Sequence, residues 1–382
     1  MKKFFLYTTG NCYPSQSDYK LITAYIKENE WKLAKKIGNA DIVIVYTCAF
    51  TKDKEDKSLN LIKQAYQEKK GSAQLIVVGC LPAINKDRLS KVHKGIAVTA
   101  NSLKELDDLL QAKVSIKEIS YTGSSICSNK NKHKEYLLRI GWGCNGECSY
   151  CAIKIIFGQP HSRPVSDIIL EYEKAYRRGY RKFALISDDP GTYGKDVNSS
   201  LAVLFEELCD KHTDCKFTLA SINPHTFKSI FPYLEKYIHQ KKIWRIHLPV
   251  ESGSNRIIRL MNRFYTVDDF KSYIEAIVAS NPAIDLRTDI LVGFPRETEY
   301  DFQQTLKLVG WLGRYKVEYQ CLPYSRRPNT KADSMSGHLD QKTKATRFKI
   351  LQRLCWINSI LNKPYLFKQL TSGNNVVLQK LR

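Results

Sequence analysis

Gly143-Cys144-Asn145-Gly146-Glu147-Cys148-Ser149-Tyr150-Cys151 sets three cysteines in C-x3-C-x2-C spacing, directly after an apolar run at 135–141. Three thiolates on one tight loop suit three irons of a four-iron cluster and leave the fourth iron open to a ligand. Electron-transfer clusters close that position with a fourth cysteine. Structural zinc sites pair C-x2-C knuckles, and no second knuckle follows here. A strand running straight into a chemically loaded loop is the arrangement of a (β/α) barrel, whose chemistry sits at the carboxyl ends of its strands.

Downstream, the pattern repeats. Apolar runs at 135–141, 182–187, 216–221, 243–248, 284–291 and 316–322 read as strands. Helical periodicity near 166–178, 198–212, 226–238, 267–280 and 299–312 separates them, and a further helix is expected at about 341–360. The spacing therefore predicts an open, partial (β/α)6 TIM-like barrel.

Upstream, residues 3–8, 41–47 and 73–79 are short runs rich in Val, Ile, Leu and Phe, with helical patterns at 16–28 and 51–69 between them. This predicts a small parallel α/β domain. Its strands finish at or near Cys12, Cys48 and Cys80. Ligands of parallel sheets bind beyond the carboxyl ends of the strands, so the three thiols are candidates for one metal site. The expected organisation is an N-terminal domain at 1–112, a polar linker at 113–134, a core at 135–335, and a C-terminal helix with a basic tail at 336–382.

The chain has 382 residues, of which 43% are hydrophobic and 26% charged, with a formal net charge of +22. That balance suits a globular protein of about two or three domains. No run approaches the roughly 18 apolar residues of a membrane span, so no membrane association is expected. The opening Met1–Tyr7 is too short for a signal peptide and reads as a first strand in a cytoplasmic protein. Residues 341–382 carry nine Lys or Arg and no Asp or Glu, which suits a polyanion such as nucleic acid. Among the eleven cysteines, Cys127, Cys209, Cys215, Cys321 and Cys355 read as small buried hydrophobes. The eight histidines form no metal-binding pair, and no general acid–base dyad is visible. His247 reads as structural.

Further stretches accompany the loop: Ser162-Arg163-Pro164, Gly191-Thr192-Tyr193-Gly194, His247-Leu248-Pro249-Val250-Glu251-Ser252-Gly253-Ser254, Met261-Asn262-Arg263, Thr288-Asp289-Ile290-Leu291-Val292-Gly293-Phe294-Pro295 and Tyr324-Ser325-Arg326-Arg327-Pro328. Together with the loop and the strand count, they resemble the radical S-adenosylmethionine (AdoMet) enzymes and, within them, the methylthiotransferases. The N-terminal domain resembles that family's auxiliary-cluster domain.

The resemblance implies two [4Fe-4S] clusters. One would sit on Cys144, Cys148 and Cys151, bind AdoMet at its open iron, and yield a 5′-deoxyadenosyl radical that takes hydrogen from an unactivated C–H bond. The other, on Cys12, Cys48 and Cys80, would supply sulfur. AdoMet contacts are expected from Tyr150 beside the adenine and from Glu251, Ser252 and Gly253 at the fourth strand's end. Arg287, near the fifth strand's end, is expected to face the AdoMet carboxylate, and Gly293 and Phe294 to form the turn beside the adenine. An electron donor such as flavodoxin or ferredoxin is implied.

Several positions depart from the family pattern: Ser15, Tyr46, Lys154, Phe157, Ser187-Asp188 and Glu251. The family also ends in a small β-barrel, the TRAM domain, and the residues after about 361 are too few for a complete one. The basic end favours a tRNA adenosine near the anticodon as the substrate. The alternatives are a peptide or protein side chain, a radical reaction without a methylthio product, and a nucleic-acid binder with a purely structural cluster.

Overall fold

The computed structural model describes residues 1–10, 12–119 and 135–361. Cys127, most of the expected linker and the basic tail at 362–382 lie outside the described residues. The first part of the chain forms β1 (Lys3–Thr8), α1 (Tyr13–Glu28), β2 (Lys32–Leu33), β3 (Ile42–Thr47), α2 (Lys52–Glu68), β4 (Gln74–Gly79), α3 (Leu81–Ile84), α4 (Lys86–Ser90), β5 (Ile96–Thr99) and α5 (Glu105–Leu110). From residue 135 follow β6 (Glu135–Arg139), β7 (Gly141–Trp142), α6 (Ile153–Phe157), β8 (His161–Ser162), α7 (Val165–Arg177), β9 (Lys182–Ile186) and α8 (Leu201–Lys211). The last described elements are β10 (Lys216–Leu219), α9 (Pro224–His239), β11 (Ile243–His247), α10 (Asn255–Leu260), α11 (Val267–Ser280), β12 (Asp285–Val292), α12 (Glu299–Arg314), β13 (Glu318–Pro323) and α13 (Gln341–Leu361).

The expected architecture is α/β, and the chain adopts it with two parallel sheets. The first has strand order β2-β1-β3-β4-β5, the second β13-β12-β11-β10-β9-β6, and β7 pairs with β8 in a small antiparallel ribbon. The second sheet thus follows chain order from β6 to β13, the order of successive β/α units. Strands β2 and β5 were not anticipated. Both are short edge strands, too brief to show a period of two.

The chain divides into two compact units. One comprises the described residues of Met1–Asn145, with Tyr150–Lys216 and Ser325–Asp333; the other comprises Gly146–Ser149, Phe217–Tyr324 and the described residues from Ser334 on. In the first unit every residue of β3 is buried, as expected of a strand covered on both faces. Ile42, Ile44 and Tyr46 pack with Leu21, Ile22 and Tyr25 of α1 and Leu106 and Leu110 of α5. The alternate residues Val43 and Val45 pack with Leu59 and Ile62 of α2 and Leu81 and Leu89 of α3 and α4. Ile116 and Ile119 are buried in the α1-side core. The described part of the expected linker is therefore packed structure, tied by Asn29 Oδ1, which accepts from the backbone N–H of Lys113 (2.7 Å) and Val114 (3.0 Å).

Helices in the second unit begin at oxygen-bearing caps that satisfy their first free N–H groups. Thr298 and Asp301 form a reciprocal capping box on α12, as Thr266 and Asp269 do on α11. Asp301 also accepts from Ser254 Oγ (2.6 Å) and pairs with Arg256. Burial alone would raise its pKa, but hydrogen bonds from Arg256, Ser254 and Thr298 outweigh burial and hold the carboxyl well below its usual range. Its contribution to stability is therefore complete above the ordinary carboxylate pKa of about 4 and is lost as pH falls through the depressed native value. Asp301→Ala is expected to cost about 2 kcal/mol at neutral pH, from a lost cap and charge-assisted hydrogen bonds. The gap to the parent protein should narrow as thermal unfolding is followed from pH 7 towards pH 3.

Candidate active site

Strand order in the first sheet reverses between β1 and β3, since β2 lies on the far side of β1. Such a switch point opens a crevice at the carboxyl ends of its strands. Cys12 stands at the N-terminus of α1 in the connection after β1, Cys48 follows β3, and Cys80 follows β4. The Cys12 thiol donates to Ser15 Oγ (3.1 Å), whose hydroxyl donates to Cys12 O (2.9 Å). The Cys48 N–H is held by Thr9 Oγ1 (3.2 Å) and Ser58 Oγ (3.1 Å). The Cys80 N–H donates to Thr47 O (3.1 Å). Gly79 makes that approach possible: its φ is +114°, and a Cβ there would lie 2.4 Å from Thr47 O.

Burial pushes the Cys80 thiol well up, and the charges of Cys48, Cys12, Asp18 and Asp188 push it further. Burial likewise raises Cys48, with Cys12 adding to it. The three thiols thus lie within one another's electrostatic reach. Among the described residues no group of three or more His, Cys, Asp or Glu is placed to hold a single metal ion. A four-iron cluster takes its thiolates on separate irons, which is a wider arrangement.

A buried charge network lies beside these thiols. Tyr46 Oη donates to Asp18 Oδ2 (2.7 Å), and Arg139 Nη2 stands 3.6 Å from Asp18 Oδ1. Burial raises Asp18, partly offset by Arg139 and Tyr46. Burial also raises Asp188, against the pull of Arg139 and the Gly143 N–H. Asp188 Oδ2 accepts from Gly143 N (2.8 Å), and the Cys144 thiol points at Asp189 Oδ2 (3.8 Å). The segment after β9 therefore holds the start of the three-cysteine loop. Three departures from the family pattern, Tyr46, Ser187 and Asp188, fall at these strand ends, and a fourth, Ser15, lies in the first turn of α1.

In the second unit, the middle of the loop rests on the end of α10. Ser149 N donates to Met261 O (2.9 Å), Ser149 Oγ to Leu260 O (2.9 Å), and Asn262 Nδ2 to Glu147 O (2.8 Å). Arg263 Nη1 points at Cys148 Sγ (3.8 Å). Cys144, Cys148 and Cys151 are all half-buried.

The expected AdoMet contacts fall out unevenly. Glu251 is buried at φ +67°, bridges to Ile290 and pairs with Arg263. Ser252 and Gly253 turn to α12 instead: Gly253 N donates to Thr305 Oγ1 (3.1 Å), and a Cβ at 253 would sit 2.4 Å from Gln304 O. Gly293 N donates to Glu297 Oε2 (2.9 Å), which also takes Arg347 Nη1 of α13 (2.6 Å). Phe294 is fully buried against the Tyr324 ring.

Arg287 is not near the end of its strand. It is third in β12, with the strand continuing to Val292. Its guanidinium pairs with Asp285 (3.0 Å) and Glu318 (3.5 Å). The register that sets Arg287 opposite Glu318 supplies this acidic neighbour.

Two groupings were not visible in the sequence. Arg263 meets Cys148, as above. His247 bridges Ser221 Oγ (Nδ1, 3.1 Å) and Asp289 Oδ1 (Nε2, 3.2 Å), a grouping of three polar side chains. Its members come from three adjacent strands or strand ends. Cys209 and Cys215 are buried as expected. Cys321 is half-buried, its thiol pushed up to about 12 by burial, with Cys355 and Asp289 adding.

The chain matches the Radical SAM superfamily over residues 138–309 and the Uncharacterized protein family UPF0004 over residues 3–100. It is 30% identical to the tRNA-2-methylthio-N(6)-dimethylallyladenosine synthase of Pseudothermotoga lettingae, covering 96% of this chain and 86% of that protein. It is 28% identical to a Pyrococcus horikoshii protein named a probable threonylcarbamoyladenosine tRNA methylthiotransferase, covering 97% of this chain and 88% of that one. In fold it is similar to the radical S-adenosylmethionine methyltransferase TsrM from Kitasatospora setae, with a TM-score of 0.65 at 11% identity, over 87% of this chain and 75% of that one.

Proposed function

The chain belongs to the radical S-adenosylmethionine methylthiotransferase family, and on that premise we propose that it inserts a methylthio group at an unactivated C–H bond of a tRNA adenosine near the anticodon. The observation that carries this reading is the second thiol set: Cys12, Cys48 and Cys80 at three adjacent strand ends around a switch point, in addition to the C-x3-C-x2-C loop.

The thiols fit iron–sulfur clusters. Burial of Cys48 and Cys80 opposes their thiolate forms, and bound iron supplies the positive charge that such thiolates require. We assign one [4Fe-4S] cluster to Cys144, Cys148 and Cys151, and a second to Cys12, Cys48 and Cys80. When bound, these groups supply reductive cleavage of AdoMet and sulfur, respectively. A donor such as flavodoxin or ferredoxin would provide electrons, in the cytoplasm where thiols stay reduced.

The chain's own residues position and enclose. Asp188 and Asp189 hold the start of the loop, and residues 260–263 hold its middle. Tyr150 and the Gly293 turn are the proposed AdoMet contacts, and Glu251 acts through Arg263. Ser252, Gly253 and Phe294 shape the surrounding turns. Arg287, being tied to Asp285 and Glu318, would need to break those pairs to reach the AdoMet carboxylate.

The names of the relatives above support tRNA as the substrate class, as does the charge of this chain. Lys342, Lys349 and Arg353 are exposed along α13, and 341–382 holds no acid to offset them. Among the described residues no helix is long and apolar enough to cross a membrane. The test is anaerobic incubation of reconstituted protein with AdoMet, reductant and bulk tRNA, followed by nucleoside mass spectrometry. A gain of CH2S on adenosine supports the reading. AdoMet cleavage with the tRNA left unmodified would refute it. Binding should also weaken about tenfold or more between about 50 and 200 mM salt if at least three phosphates are contacted, whereas a flat salt response counts against tRNA.

A further inference from the structure

We propose that Arg263 is a positioning residue that sets the reduction potential of the cluster on the three-cysteine loop through the Cys148 sulfur, with Glu251 as its opposing charge. The proposal rests on the reading above in one respect only, that Cys148 is an iron ligand.

Arg263 is buried, at 8% exposure. Its guanidinium is fixed on several sides. Nη2 donates to Pro249 O (3.0 Å) and to Asn223 Oδ1 (3.4 Å), Nη1 donates to Glu251 Oε1 (3.3 Å), and Cζ lies 5.2 Å from the centre of the Tyr265 ring. So held, the guanidinium cannot swing into water, and Nη1 remains 3.8 Å from Cys148 Sγ. The sulfur is held as firmly, because Glu147 and Ser149 on either side of it are bonded to residues 260–262. One short segment, Leu260 to Arg263, thus fixes both the thiol and the cation beside it.

Reduction adds an electron to a cluster whose ligands are already anionic. A donor to a ligand sulfur stabilises the reduced form more than the oxidised form, and hydrogen bonds to the sulfurs are among the factors that set cluster potentials. A buried cation strengthens this effect because screening inside the protein is weak. The Glu251 carboxylate shares the same Nη1 and takes away part of that field. Arg263 and Glu251 therefore push the potential in opposite directions, a signature that a simple strut would not give. A strut would lose iron on either substitution and leave the potential of the remaining clusters unchanged.

The test is an EPR-monitored redox titration with iron counting. It is run on the reconstituted full chain and on a Cys12→Ala/Cys48→Ala/Cys80→Ala background that retains only the loop cluster. Arg263→Gln is expected to lower the potential, so that the ratio of reduced to oxidised cluster at a fixed poise falls about tenfold, the equilibrium factor of a charge-assisted hydrogen bond. Glu251→Gln is expected to move it the opposite way, and Arg263→Lys to fall between the parent and Arg263→Gln. Unchanged potentials with iron intact, or shifts of the same sign, overturn the proposal. If Arg263→Gln loses its iron, an unchanged potential in Glu251→Gln overturns it equally. If the triple-alanine background itself binds no iron, the cluster assignment falls and this inference falls with it.

Discussion

Replacing Cys12, Cys48 and Cys80 together by Ala is expected to abolish the methylthio product while AdoMet cleavage persists. Bound iron should drop from about eight to about four per chain, the content of one [4Fe-4S] cluster in place of two. The separation follows from the architecture: the three thiols end strands of the first sheet, and the C-x3-C-x2-C loop follows the first strand of the second. Ala at these positions removes sulfur atoms from strand ends and leaves β1, β3 and β4 paired along their registers. Cys148→Ala should give the converse result, losing AdoMet cleavage and product together. Iron counting with quantification of 5′-deoxyadenosine and methylthio product checks both. Iron unchanged at about four on the triple replacement would remove the second cluster from the scheme.

Glu55→Leu is expected to destabilise the first unit by about 3–5 kcal/mol, the usual consequence of stripping one partner from a buried ion pair. The Glu55 carboxylate, on α2, accepts from Arg327, from Arg88 and from Asn85 Nδ2 (3.0 Å). Its side chain and that of Arg327 are 1% and 6% exposed. Arg88 is 38% exposed and can turn to water, but Arg327 would be left as an uncompensated charge. Arg327 Nη1 also donates to Ala49 O (3.0 Å), next to Cys48, and Ser325 Oγ accepts from Lys52 N (2.8 Å). Loss of the pair should therefore loosen the Ser325–Asp333 segment and weaken iron retention at Cys48. Urea denaturation of the apoprotein measures the first effect and iron content the second. Glu55→Leu with Arg327→Leu should recover much of the stability, since two apolar side chains leave no unpaired charge.

Strands and helices were legible because their signals are local. Ile42–Thr47 shows a buried strand by composition alone, and the helices at 267–280 and 299–314 show the 3.6-residue period after a Thr cap. Local signals failed where an element was brief, as for β2 and β5, or where a polar stretch acquired a core, as for Ile116 and Ile119. The cysteines were legible for a related reason: a thiol next to the end of an apolar run must lie next to the carboxyl end of a strand. Arg287 was misplaced because its role was read from a resemblance to the end of a strand, and the strand runs five residues further.

By itself the sequence determined the two α/β sheets, the C-x3-C-x2-C loop at the end of β6, and three further thiols at neighbouring strand ends. Only the tertiary structure decided which charges meet. Arg263 lies 115 residues from Cys148, Arg327 lies 272 from Glu55, and His247 joins Ser221 to Asp289 across three strands or strand ends. A buried charge must be paired, but its partner is chosen by sheet register and by where loops return. Those are properties of the folded chain, which no spacing along the sequence records.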